Sequence, residues 1–188
     1  MYFNKPISSH PLDIHRTINH WSSTKKLVFA ALMTALTVVF QSAGTLLPGI
    51  GYLISPLATA PILLCMLISF STGISSYLLT IILLLLIEPS ELVIFPFTTG
   101  LLGLGLGWTF RVVNRRFGII LMNGCLLFIG ICIPFYAFGF PILGPGVPSV
   151  FSPIFLFVIF GFSFLYSWLW LAFGLFLLRK IKVILSFG

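Results

Sequence analysis

The chain has 188 residues, of which 59% are hydrophobic and only 7% charged. A water-soluble domain of this length needs far more charge to cover its surface, so composition excludes one and points to a multi-pass protein of the cell membrane. The net charge of +7 would suit a nucleic-acid ligand. The basic residues, however, stand in short clusters at the ends of apolar runs, with no aromatic-rich basic face, so the expected partner is the lipid bilayer and no nucleic acid.

The chain opens with a polar stretch, residues 1–26, which carries Pro6, Pro11 and three histidines and lacks the apolar core of a secretory signal. His10, His15 and His20 recur every five residues, which scatters them around a helix rather than aligning them as metal ligands. This segment is expected to be a cytoplasmic leader lying against the membrane surface.

A helix needs about 20 residues to cross ~30 Å of hydrocarbon, so six crossings with short links use nearly all of the remaining chain. The first span is expected from Leu27 to Leu47, ending at the turn signal Pro48-Gly49-Ile50-Gly51. The second runs from Tyr52 to Phe70 and carries Pro56 and Pro61, which bend it. Ser71-Thr72-Gly73 makes a tight connection to a short third span, Ile74 to Ile87, which closes at Glu88-Pro89-Ser90-Glu91. The fourth runs from Leu92 to Phe110 and the fifth from Phe117 to Phe140. A proline-rich stretch, residues 141–148, cannot be regular helix. The sixth span runs from Phe151 to Leu178.

Charge then fixes topology. Lys5, Arg16, Lys25 and Lys26 precede span one; Arg111, Arg115 and Arg116 separate spans four and five; Arg179, Lys180 and Lys182 follow span six. An even number of crossings puts all ten basic residues on one side, and the positive-inside rule makes that side cytoplasmic. The expected fold is an all-α integral membrane protein with about six transmembrane helices in one bundle and both termini inside. Residues 27–182 form the transmembrane domain and 183–188 a short cytoplasmic tail.

The sequence offers little for catalysis. It contains no HExxH, no GxSxG and no pair of acids at membrane depth, so no enzyme, cofactor or metal site is expected. Cys65, Cys125 and Cys132 fall in apolar stretches without CxxC spacing, which suits packing. Gly100, Gly103, Gly105 and Gly107 have no P-loop lysine after them; Gly103 and Gly107 share a helix face and suit close helix packing. Ala31 and Ala35 make a flat strip near the cytoplasmic end of span one, able to receive a helix of this bundle or of a partner.

The outward side holds the binding candidates. Glu88 and Glu91 are the only acids after Asp13 and stand where outer loops meet helices. They either cap helix ends in water or contact a polar or cationic solute. Gln41 and Thr45 lie on the outer half of span one, Phe95, Phe97, Thr98 and Thr99 on the outer part of span four, and Tyr136 on that of span five. Aromatic walls with a few polar groups suit a small-solute pocket, and they equally suit an interfacial belt. Tyr166, Trp168 and Trp170 stand deeper, in the middle of span six, where Trp168 is a candidate for the pocket floor.

Six spans in 188 residues, both ends inside, and Lys25-Lys26 followed by Ala31-x-x-x-Ala35 together resemble the substrate-binding S components of energy-coupling factor vitamin transporters. The resemblance covers about residues 24–182 as architecture, and only span one carries a motif. It implies that Ala31 and Ala35 dock a transmembrane coupling subunit served by ATPase subunits, because this chain has no Walker motif of its own. It further implies an outward pocket with Leu47–Tyr52 as lid and Glu88, Glu91 and Tyr136 as solute contacts. No vitamin-specific signature is present, so the solute stays open. The alternatives are a stand-alone small-solute permease and a non-transporting membrane scaffold.

Overall fold

The computed structural model describes residues 21–47, 49–137, 139 and 153–186. The leader as far as residue 20 and the proline-rich stretch 141–148 lie outside the described residues. The described chain is an all-α bundle, as composition required, with no strand among the described residues. Five helical stretches are long and apolar enough to cross a membrane: Ser23–Leu46, Gly51–Ile68, Phe70–Ile87, Arg116–Ala137 and Pro153–Ile181.

Helix α1, Ser23–Leu46, begins at Ser22, whose hydroxyl accepts from the Lys25 amide at 3.3 Å. Its polarity is inside out relative to a soluble helix. Thr34, Thr37, Gln41 and Ser42 are buried, whereas Leu27, Leu32 and Val39 are more than half exposed. Lipid is as apolar as any side chain, so the outward face needs no polar cover, and Thr34, Thr37 and Gln41 find partners inside, whereas the Ser42 hydroxyl has none. One such partner is Ser76, 2.8 Å from Thr34.

The expected second span is interrupted. It consists of α2, Gly51–Ile54, a 3-10 turn, Ser55–Ala58, and α3, Thr59–Ile68. Pro56 sits in the 3-10 turn, where its missing donor and fixed φ end the α-helical register. The third span starts four residues earlier than expected: α4 runs Phe70–Ile87. The connection is not Ser71-Thr72-Gly73 but the single extended residue Ser69 (φ −155°, ψ 155°), whose hydroxyl accepts from the Thr72 amide at 3.0 Å. Gly73, read as a turn residue, lies within α4, where a Cβ would collide with Met66 of α3.

The fourth crossing departs furthest from expectation. Helix α5 is only Thr99–Val112, fourteen residues. At 1.5 Å per residue it rises about 21 Å, short of the ~30 Å hydrocarbon core. A 3-10 turn, Pro89–Leu92, and turns over 93–98 precede it. Pro89 and Pro96 lack amide donors, and Phe95 is drawn fully inside, stacked on Tyr77 at 5.6 Å. The Tyr77 hydroxyl donates to the Pro96 carbonyl at 3.0 Å, satisfying backbone that no helix serves. Helix α6, Arg116–Ala137, contains Pro134, and α7, Pro153–Ser186, continues through Arg179 and Lys180 well beyond the expected end at Leu178.

Glycines set the spacing at the inner end, the end that carries the basic residues. A Cβ on Gly103 would stand 2.9 Å from Ile62, and one on Gly107 would collide with Met66, so both face α3 one turn apart. Gly105, on another side of α5, lies against Asn123 and Leu126 of α6. The Arg111 guanidinium donates to the Met66 and Leu67 carbonyls, occupying unpaired acceptors at the C-terminus of α3. Around these contacts lies a core that includes Leu63, Leu67, Leu102, Leu106, Phe110 and Leu171.

Candidate solute-binding site

The non-helical approach to α5 carries an acid into the protein. Glu91 is 4% exposed, although its sequence position suggested a loop in water. The 3-10 turn holds it from both sides: its amide donates to the Glu88 carbonyl at 3.1 Å, and its carbonyl accepts from Phe95 at 2.8 Å. Its side chain meets the last turns of α1. Gln41 Nε2 donates to Oε2 at 2.6 Å, and Thr45 Oγ1 donates to Oε1 at 2.8 Å. Gln41 and Thr45 are four residues apart and present one helix face, which makes this two-point grip possible.

A second layer orients the first. Thr99 Oγ1, at the start of α5, donates to Gln41 Oε1 at 2.7 Å, which turns the amide nitrogen toward Glu91. The Thr98 hydroxyl donates to the Ile94 carbonyl at 2.7 Å. The hydroxyl hydrogens of Thr45, Thr98 and Thr99 are therefore all committed within the protein. Gly44 leaves room beside the acid, because a Cβ there would stand 3.4 Å from both Glu91 Oε1 and Ser55.

Glu91 borders a cavity of about 180 Å³ between the helices. Thr98 and Thr99 join it on the polar side, and Tyr52, Phe162 and Tyr166 form the aromatic side. Phe162 and Tyr166 are stacked, with ring centroids 5.5 Å apart. Tyr52 is 72% exposed, so the cavity reaches the protein surface at α2.

Of the residues the sequence singled out, Glu91, Gln41 and Thr98 come together here. Glu88 stays half-buried outside the cluster and accepts from Ser90 at 2.7 Å, a local cap. Tyr136 is 46% exposed, its ring against Phe135, and does not border the cavity. Trp168 does not either. It follows Tyr166 by two residues, nearly the opposite side of a helix, so Tyr166 faces in and Trp168 is exposed. Gly44, Ser55 and Phe162 were not anticipated. The only sequence signal for them was spacing: Gly44 adjoins Thr45, and Phe162 stands one turn before Tyr166.

Ala31 and Ala35 are both exposed on α1 and turn away from the bundle. The strip therefore serves no helix of this chain among the described residues. Beside it runs an apolar groove bordered by Trp21, Val28, Phe29 and Leu32. Among the described residues, no three of His, Cys, Asp and Glu stand close enough to share a metal ion. No protein-family model, curated protein or solved structure matches the chain.

Proposed function

We propose that this chain is the solute-capturing subunit of a membrane uptake system: it takes a small vitamin-like solute from outside and works with a separate transmembrane coupling subunit and ATPase subunits. The observation that carries the reading is the Thr99–Gln41–Glu91 chain at the wall of a cavity that is aromatic on its other side. A buried carboxylate costs several kcal/mol of desolvation, which neutral donors offset only in part. A purely structural bundle is better served by apolar side chains at that position, whereas a binding site needs a polar group that fixes orientation. Support for a partner comes from Ala31 and Ala35, small, exposed and unused by this bundle. We assign the chain no reaction of its own.

The test is native mass spectrometry of gently purified protein, expressed with its membrane partners. The expected result is a retained coupling subunit and a retained small molecule. Ala31→Leu combined with Ala35→Leu should release the coupling subunit and leave the small molecule bound. Assembly unchanged in that double variant removes the docking reading. Saturable uptake into liposomes by the purified chain alone would instead make it a stand-alone permease.

A further inference from the structure

We infer that the solute is a small organic cation, a protonated amine or quaternary nitrogen on a body of about one ring, seated with its nitrogen at Glu91 and its body against Phe162 and Tyr166. The inference rests on the solute-binding reading of this cavity and names its chemical class.

Charge is the first ground. Among the described residues, Glu91 accepts only from Gln41 and Thr45, both neutral, and no lysine or arginine pairs with it. The described basic residues stand at the far end of the bundle, on the first turn of α1, around the α5–α6 link and late in α7. A carboxylate has about four lone-pair sites and the two donors occupy two of them. What remains is an anionic acceptor in low dielectric, where a cation is worth far more than in water.

Donor placement is the second ground. Around the acid, the Thr45, Thr98 and Thr99 hydroxyl hydrogens already point to protein acceptors. These three offer the cavity lone pairs, which receive N–H groups, and the Ser55 hydroxyl beside them can donate as well as accept. The opposite wall acts in the same sense. Stacked Phe162 and Tyr166, with Tyr52 at the mouth, line the cavity with aromatic rings, whose π-systems attract cations and whose area covers an apolar body.

Size is the third. A cavity of about 180 Å³ is close to the roughly 150 Å³ that encloses benzene. One ring with a short basic arm fits within it.

Three probes that share one ring and differ in head group test the class: benzylammonium, benzyl alcohol and benzoate. Binding to the purified full chain in detergent is read by calorimetry and by the shift in thermal unfolding midpoint. Benzylammonium is expected to bind at least ten-fold more tightly than benzyl alcohol, and benzoate not to bind. Glu91→Gln keeps the shape and should abolish the preference of the site for benzylammonium over benzyl alcohol. Phe162→Leu, which leaves the acid intact, should weaken benzylammonium binding more than benzyl alcohol binding. Equal binding of all three probes, preference for benzoate, or preference for benzylammonium surviving in Glu91→Gln each overturns the inference. So does stabilisation by sodium alone that matches benzylammonium and is lost in Glu91→Gln, which would mark an inorganic-ion site. These outcomes are separable from the coupling-subunit test: cation binding without a partner leaves the inference standing, and a retained partner with a benzoate-preferring cavity removes it.

Discussion

At the inner end of the bundle, glycines of α5 let α3 and the side chains of α6 pack close against it. Gly103 and Gly107 rest on α3, and Gly105 on α6. At the outer end, where α5 gives way to turns, the same crossing is held off α1 by a glutamate, a glutamine and two threonines that bridge the gap. The inner contacts gain from close packing, which exists only when the helices touch. The outer contacts gain from hydrogen bonds, which tolerate a neighbouring cavity as long as each polar group finds a partner. Close glycine contacts also occur at the outer end, where a Cβ on Gly51 would strike the Ala43 carbonyl and one on Gly130 the Phe97 carbonyl, so the polar bridge and its cavity sit between tightly packed backbones.

Substitutions can break this contrast, and the largest effect belongs to the inner end. Gly107→Leu drives a side chain into Met66 and should cost about 3 kcal/mol or more. Loss of a monodisperse peak in size-exclusion chromatography is the expected readout, and normal folding would show the glycine contact to be dispensable. Arg111→Met removes the donors to the Met66 and Leu67 carbonyls and should cost about 1.5 kcal/mol. Its thermal midpoint should fall with benzylammonium affinity unchanged, since the arginine stands far from the cavity. Gly44→Ala sharpens the comparison from the other side. Its Cβ meets Glu91 and Ser55 at ordinary contact distance, so stability should change by less than about 0.5 kcal/mol. Affinity for benzylammonium should drop several-fold in calorimetry, because the methyl group takes room beside the carboxylate.

What the sequence disclosed follows the same divide. Hydropathy and charge placement were enough for the apolar spans and the bundle, because lipid imposes long helices whatever their packing partners. The role of Gly103 and Gly107 was also readable, since spacing of four on a helix admits few other uses. The outer half was harder. Glu91 is separated from Glu88 by only Pro89 and Ser90, and nothing local distinguishes the capped surface acid from the buried one. The distinction is made by Gln41, fifty residues earlier, and by Phe95, whose burial carries the preceding turn inward. Likewise, Ser69 and Gly73 are both plausible turn residues, and only contact with Met66 decides between them. Helical period identified Tyr166 and Trp168 as neighbours in sequence but left open which side of α7 faces the cavity.

The Ser69 joint bears on how neighbouring helices are coupled. Its amide donates back to Cys65 at 3.2 Å while its hydroxyl receives Thr72, so the link is tied on both sides and has no slack. Shearing α3 past α4 would break both ties. The link between α1 and α2 is tied as well, the Gly51 amide donating to the Leu47 carbonyl at 2.8 Å, and Gly49 there adopts φ 83°, where glycine is favoured. The exposed ring of Tyr52 thus follows directly on a turn whose left-handed residue a larger side chain would strain.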